Sequence, residues 1–209
     1  MSYFAALPAP RPLLLAAGDL PSLVLLALRQ RDKRPMPRLL HVHDGREAAG
    51  IRLRRVREQM DRYGILELEE VKAPHLRAGA GAGGEAAHPP LADAQMLLAA
   101  CQVAARRGCD PVVWTAARGD AADVERGEET VSGRLAAAET CLLVGQLQEA
   151  AGVEPVAVET PFVELDLAGV ATLARRADAD PSLAWACAYN GPSPCGGCGG
   201  CLRLRRALG

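Results

Sequence analysis

Four cysteines crowd the end of the chain: Cys187, Cys195, Cys198 and Cys201, spaced C-x7-C-x2-C-x2-C, with Gly196-Gly197 and Gly199-Gly200 filling the last two gaps. A four-thiolate tetrahedron suits Zn(II), and the glycines let the backbone fold tightly enough to aim N–H groups at the sulfurs. Four protein ligands leave no open coordination position, so such an ion would stabilise the fold and not catalyse. An iron–sulfur cluster is the alternative occupant, because C-x2-C-x2-C also occurs in ferredoxin-type sites; unliganded thiols are the third reading. The total of 7 cysteines is odd and weighted to one end, the wrong distribution for a disulfide framework. Cys101, Cys109 and Cys141 fall within or beside predicted helices and read as small core residues.

The second place where residue types could do chemistry is the turn Ala16-Ala17-Gly18-Asp19-Leu20-Pro21-Ser22. An α/β protein commonly grips phosphate here, with amides at a helix N-terminus. This turn offers one glycine, one serine and a carboxylate that would repel phosphate. An ordinary strand-to-helix turn with Pro21 in the first helical turn fits equally well. His41-Val42-His43-Asp44 puts two imidazoles on one face of a strand end, where they could hold a metal. With no complete ligand set nearby, one or both read instead as solvent-facing residues at the strand terminus. Residues Gly79 to Gly84 satisfy the letter of G-x-G-x-x-G. They stand well beyond the preceding strand, and Pro89-Pro90 prevents a helix from opening behind them, so no dinucleotide site is assigned.

The elements that must position these groups alternate along the chain. Strand-like runs fall at Leu13 to Ala16, Arg38 to His43, Ile65 to Val71 (half-buried or edge), Pro111 to Thr115 and Pro155 to Val158. Helical periodicity covers Leu20 to Arg31, Arg46 to Tyr63, Leu91 to Arg107, Val131 to Ala150 and Asp166 to Arg176. The second helix carries Leu53, Val56, Met60 and Tyr63 on one stripe and is closed by Gly64; the fourth carries Val131, Leu135, Ala138 and Leu142; Asp166 caps the last. Ala78 to Pro90 and Arg118 to Thr130 read as loops. Five strand–helix repeats predict an α/β fold: a parallel sheet with helices on both faces and a ligand crevice at the carboxyl ends of the strands. The division expected is 1–183 for this unit and 184–209 for a cysteine-rich appendage.

Composition agrees. Of 209 residues, 49% are hydrophobic but only 3% aromatic, and 39 are alanine, so the core must be aliphatic with small-residue helix contacts. The net charge of −1 argues against a broad electrostatic nucleic-acid footprint. All but Lys33 and Lys72 of the 24 basic residues are arginine. No apolar run approaches the roughly 20 residues of a membrane span, and the first residues do not read as a signal peptide, so a cytoplasmic protein is expected.

Taken together, Trp185-Ala186-Cys187-Ala188-Tyr189-Asn190-Gly191, then Cys195-Gly196-Gly197-Cys198-Gly199-Gly200-Cys201 and Arg203, resemble the terminal W-S-C-Y-N-G…C-G-x-C-x-x-C-x-x-R signature of the 7-cyano-7-deazaguanine synthase family. Glu159-Thr160-Pro161-Phe162 is similar to that family's E-T-P-L segment, and Leu39 to Gly45 to its second strand ending in D-Y-G-Q. The resemblance implies an adenine nucleotide alpha hydrolase-like fold, structural zinc on the four cysteines, and a homodimer. It also implies the activity of a pyrophosphatase-loop ATPase: ATP adenylates a deazaguanine carboxylate, and ammonia displaces AMP to give the amide and then the nitrile.

The nucleotide side departs from the family. Its S-G-G-x-D-S loop becomes Ala17-Gly18-Asp19-Leu20-Pro21-Ser22, so Gly18 and Ser22 alone survive, with Asp44 as the other candidate nucleotide-site residue. The family's L-T-K-A-E pattern appears as Leu165-Asp166-Leu167-Ala168-Gly169, without the lysine, and its P-G-R-N-type segment as Pro89-Pro90-Leu91-Ala92-Asp93. The expectation is a non-catalytic relative, or pseudoenzyme: a partner subunit, a regulator or a module that binds a purine-like base or nucleotide. One alternative is an active enzyme using ATP and Mg²⁺, with Arg118 or another arginine replacing the lost cation. The other is a nucleic-acid-binding zinc module using Arg203, Arg205 and Arg206, which otherwise read as the solvated face of the last helix.

Overall fold

The computed structural model describes residues 10–73, 92–117 and 130–209. In chain order they form β1 (Arg11–Leu15), α1 (Leu20–Arg31), β2 (Arg38–His43), α2 (Ala49–Tyr63), β3 (Leu68–Lys72), α3 (Ala92–Arg107), β4 (Cys109–Trp114), α4 (Thr130–Ala150), β5 (Val158–Glu159), α5 (Leu167–Arg176), a single 3-10 turn (Pro181–Leu183) and α6 (Gly199–Leu208). The five strands pair in parallel in the order β3-β2-β1-β4-β5. The chain therefore steps outward from β1 to β3, returns across the sheet, and resumes on the other side of β1. That reversal leaves a crevice between the carboxyl ends of β1 and β4, where α/β sheets of this kind place ligands.

β1 is apolar throughout its inner length because both of its faces are covered. Leu14 packs with Leu39, Val113 and the helices α1 and α5 on one side, while Leu13 and Leu15 pack with Leu40, Val112 and α3 on the other. β3 is an edge strand, as its alternating sequence predicts. Glu69 pairs with Arg106 at 2.9 Å and Arg107 at 2.8 Å, and Glu70 with Arg57 at 2.6 Å. Such exposed pairs contribute at most about 1 kcal/mol each; their larger effect is to load the edge with charge against further strand pairing.

Two helical stripes differ from the sequence reading. On α4, Leu142 is 64% exposed and Ala138 also faces solvent, whereas Ala137, Val144 and Gln148 are buried and Cys141 packs beside them. The seam follows small residues because α3 presents small residues opposite, Ala100, Cys101 and Ala104, so bulk misplaces it. The side chains of Val131 and Leu135 lie outside the description. Gln148 earns its burial by clamping the approach to β5: its Oε1 accepts from the Val156 N–H at 2.9 Å. On α2, the buried positions are Ala49, Ile51, Val56, Gln59 and Tyr63, with Leu53 only half-buried. Gln59 donates to the Leu183 carbonyl at 2.9 Å, which is why a polar residue can stand there. Gly64 closes α2 in the left-handed conformation, and Asp166 caps α5 by accepting from the Gly169 N–H at 2.7 Å, both as expected.

The tail packs against this unit. Trp185 is buried with Ala48 and Ile51, its backbone N–H donates to the Gly18 carbonyl at 2.8 Å, and the Arg55 guanidinium lies 5.6 Å from its ring centroid. α6 lies on α5, with Leu204, Ala207 and Leu208 turned to the core and Arg203, Arg205 and Arg206 exposed.

Gly18 is where the turn, α2 and the tail meet. It has φ +68°, and a Cβ there would lie 2.5 Å from the Arg52 carbonyl oxygen. Gly18→Ala is expected to destabilise the chain by roughly 2 to 4 kcal/mol, from positive-φ strain plus the clash. Urea denaturation reads this as a lower midpoint at unchanged slope.

Candidate metal centre and the adjoining cleft

The Sγ atoms of Cys187, Cys195, Cys198 and Cys201 all lie within 4.8 Å of one another, with Cys195–Cys201 and Cys187–Cys198 at 3.9 Å. A tetrahedron with metal–sulfur bonds of about 2.3 Å has sulfur–sulfur edges of about 3.8 Å. The donor set therefore fits a single ion. Gly200 allows this convergence: a Cβ on it would fall 1.9 Å from the Ala186 carbonyl oxygen, so only glycine lets the start of α6 approach the segment leading into Cys187.

Backbone amides are aimed at the sulfurs. Ala188 N–H donates to Cys198 at 3.5 Å, Cys198 N–H to Cys195 at 3.4 Å, and Tyr189 and Cys195 N–H to Cys187 at 3.5 Å. These bonds favour thiolate, the form that binds metal. At Cys198 burial opposes ionisation but is outweighed by the amides of Ala188 and Cys201 and by neighbouring thiols, bringing its pKa down to about 6. The amides of Cys198 and Gly197 lower Cys195 as well. Burial, then thiol donation to Cys198, pushes Cys201 up to about 12. Cys101 differs in kind: burial, then Cys141 nearby, raises it to about 11, and burial also raises Cys109 and Cys141. These three are protonated core thiols.

A cavity of about 270 Å³ opens at the crevice between β1 and β4. Its apolar wall includes Leu15, Val42, Met96 and Trp114, and its polar groups are Asp19, His41, Asp44, Arg46, Arg52, Asp93 and Thr115. Neither Lys33 nor Lys72 is among the described residues lining it. Gly79 to Gly84 and Arg118 lie outside the described residues.

The β1–α1 turn at this cavity commits several of its donors internally. Asp19 caps α1 by accepting from the Ser22 N–H at 3.0 Å, and its carbonyl accepts from Leu23 N–H at 3.2 Å. The Ala17 N–H goes to Ser22 Oγ at 3.2 Å, and Pro21 has no N–H. Ser22 is fully buried, and its hydroxyl lies 3.4 Å from Thr115 Oγ1. Gly18 gives its carbonyl to Trp185. Asp44 accepts from the Arg46 N–H at 3.0 Å and pairs with the Arg46 guanidinium at 3.0 Å. Of the three candidate nucleotide-site residues, Gly18 and Ser22 thus serve the turn itself, while Asp44 faces the cavity.

The structure separates the two histidines: His43 is half-buried at the strand end, whereas His41 is 3% exposed. β2 is overlaid at that point by α2, and the ring turns inward to place Nδ1 2.8 Å from the Ala16 carbonyl. A carbonyl only accepts, so Nδ1 carries the proton and Nε2 keeps its lone pair. Burial and then His43 hold its pKa below the usual histidine value, against the Ala16 bond, which raises it. Sequence reasoning also passed over Thr115, Arg52 and Trp114, which come from different elements and share no motif.

A parallel sheet of this order, with its cleft at the reversal and a tetrathiolate tail, defines an adenine nucleotide alpha hydrolase-like protein. The family model for "Queuosine biosynthesis protein QueC" matches residues 93–209, and the chain belongs to that family. Among solved structures it is similar to the U34-tRNA thiolase NcsA from Methanococcus maripaludis, a structure with a four-iron, four-sulfur cluster. That match has a TM-score of 0.50 and 17% identity over 96% of this chain and 63% of that one; this chain thus spans less than two thirds of the thiolase. NMN synthetase from Francisella tularensis matches with a TM-score of 0.46 and 16% identity over 90% of this chain and 71% of that one. No curated protein matches by sequence. Among the described residues, no helix is long and apolar enough to cross a membrane.

Two pH effects follow. Cys201 must surrender a proton to the metal near neutrality, and below about pH 6 Cys198 must too. Metal affinity should therefore fall with acidification, more steeply below pH 6, as competition against a chromophoric chelator would measure. His41 is held neutral in the fold, so the unfolded chain binds the extra proton. Stability should begin to drop as pH falls through 6.5 and continue down through the lowered folded value. Denaturant melts across this range should show a shallower drop in His41→Gln.

Proposed function

We propose that this QueC-family protein is a zinc-stapled, non-catalytic relative that keeps the cleft for a purine-like small molecule and does not activate ATP. It would act as a regulator or as a subunit beside a catalytic partner, or as a homodimer. The observation that carries this reading is the Asp19 carboxylate capping α1, together with the amides already committed beside it. Where a polyphosphate needs open amides, the N–H groups of Ala17, Ser22 and Leu23 are spent internally and Pro21 supplies none. The Asp19 carboxylate already occupies the N-terminus of α1. A second unit negative charge about 4 Å away is opposed by about 4 kcal/mol at an effective dielectric of 20, against roughly 1 kcal/mol returned by each amide that meets it.

The sulfur spacing supports zinc as the ion. Thiolates within 4.8 Å of one another suit a single d¹⁰ metal, whereas a four-iron cubane spreads its ligands around a much larger core. Leu142, Leu143 and Leu147, exposed along α4, support a role beside another protein.

A second reading, an active ATP-dependent enzyme, is favoured by one feature: the guanidinium groups of Arg46 and Arg52 line the cleft and could replace the family's lysine. Incubating the metal-loaded protein with ATP, Mg²⁺ and 7-carboxy-7-deazaguanine separates the two. The expected result is no AMP or pyrophosphate above background, with one zinc and no iron per chain by elemental analysis. AMP and pyrophosphate accompanied by amide or nitrile would overturn the proposal; stoichiometric iron would overturn the zinc assignment.

A further inference from the structure

Among the described residues, four of the six large apolar side chains that stand exposed fall between positions 142 and 153: Leu142, Leu143, Leu147 and Val153, at 39 to 64% exposure. The fold does not use them. The seam that fastens α4 is complete with Ala137, Val144 and Gln148 buried and Cys141 beside them. Leu143 and Leu147 are one helical turn apart and Leu142 adjoins them. Val153 is held at the helix end, its N–H donating to the Gln148 carbonyl at 3.1 Å. Together they make one apolar surface, unlike the scattered single residues that any soluble protein exposes. α2 shows the ordinary arrangement of a surface helix: its solvent side is Arg54, Arg57, Asp61 and Arg62.

Charge marks the same surface. From Leu135 to Ala174 the chain has six carboxylates and no lysine, arginine or histidine, although the whole sequence holds 24 basic against 25 acidic residues. Glu139, Glu149 and Glu154 stand exposed around the leucines. Arg106 and Arg107, at the end of the neighbouring α3, are turned away to Glu69 on β3, at the opposite edge of the sheet. These features choose the occupant. A second copy meeting this face in a symmetric pair would set glutamate against glutamate in any register, and a nucleic acid or anionic membrane would be repelled. A strand is poorly served, because β5, the sheet edge beside α4, has only 2 residues and main-chain pairing needs a longer template. A helix whose apolar stripe runs between lysines or arginines answers both the leucines and the carboxylates. From Ala138 to Ala150 the exposed side of α4 runs roughly 20 Å, room for between three and four turns of such a helix.

We propose that the exposed face of α4, with Val153 at its end, docks a basic amphipathic helix of a second protein. Its apolar side chains cover Leu142, Leu143 and Leu147, and its cations reach Glu139, Glu149 and Glu154. This rests on the reading of the chain as a subunit that works beside another protein, and it supplies that partner's chemistry.

Fluorescence anisotropy on the full metal-loaded chain tests this with three labelled peptides of about 18 residues. The first has leucines at i, i+3, i+4, i+7 spacing among lysines; the second replaces its lysines by glutamates; the third scrambles the first so that no apolar face remains. The first should bind about tenfold more tightly than either control, and more weakly as salt is raised. The double substitution Leu143→Ser with Leu147→Ser should cost about tenfold, and Glu149→Lys with Glu154→Lys should reverse the preference between the lysine and glutamate peptides. All four positions are exposed, so these variants keep the fold, which unchanged circular dichroism verifies. The proposal is overturned by failure of the lysine peptide to bind, by equal binding of the scramble, or by affinity that survives the serine substitutions. It is overturned too by a dimer in sedimentation velocity that the serine substitutions dissolve, since a second copy would then be the occupant. Turnover of ATP would end the non-catalytic reading without touching the peptide result; the failures above would end this inference and leave that reading standing.

Discussion

The hydrogen bonds that close the turn between β1 and α1 constrain more of this molecule than any other set. Asp19 holds the first amides of α1, Ser22 holds the Ala17 amide and reaches Thr115 on the neighbouring strand, and Gly18 passes its carbonyl to Trp185 in the tail. An N–H that donates within a turn is not available to a ligand. The same bonds that fix α1 on the sheet therefore decide what the cleft can hold. Gly18 is indispensable to this arrangement: its left-handed backbone and missing side chain let the α2 backbone at Arg52 come into contact, which brings the Arg52 side chain to the cavity wall.

The metal centre depends on the same contact from the other side. Trp185 stands two residues before Cys187 and is buried against α2, with the Arg55 guanidinium over its ring. The cysteine knuckle therefore inherits its position from the body of the fold, while glycine at position 200 sets how closely its own two ends approach. The cysteine segment and the cleft thus share a corner, held by the packing of Trp185 on Ala48 and Ile51 and by its backbone hydrogen bond to Gly18.

The sequence was informative where the signal is local. Strand–helix alternation gave the layers and the parallel sheet, Asp166 and Gly64 announced the ends of their helices, and the cysteine spacing announced a cluster of four sulfurs. It was uninformative where the partner comes from afar. Which of His41 and His43 is buried was not legible, because nothing near His41 in sequence says that the Ala16 carbonyl awaits its ring. Thr115, Arg52 and Trp114 are unremarkable singly and reach one cavity only through the crossover from β3 to β4. On α4 the leucines drew attention from Ala137 and Cys141, since size is a poor guide to burial when the facing helix is itself built of small residues. The loop departures were visible as letters, but that Asp19 and Ser22 spend the donors among themselves was a property of geometry.

The bond between Gly18 and Trp185 also has a consequence in time. The two residues that complete this corner lie near opposite ends of the described chain, so the contact is of very long range, and loop closure of that kind is late and slow. During synthesis β1, α1 and β2 can assemble while the tail is still unmade. The corner beside the cleft is finished only when residue 185 has emerged and the cysteine segment has folded behind it. Completion of the cleft is in this way deferred to the end of folding, and a nascent chain lacking that segment presents an incomplete one.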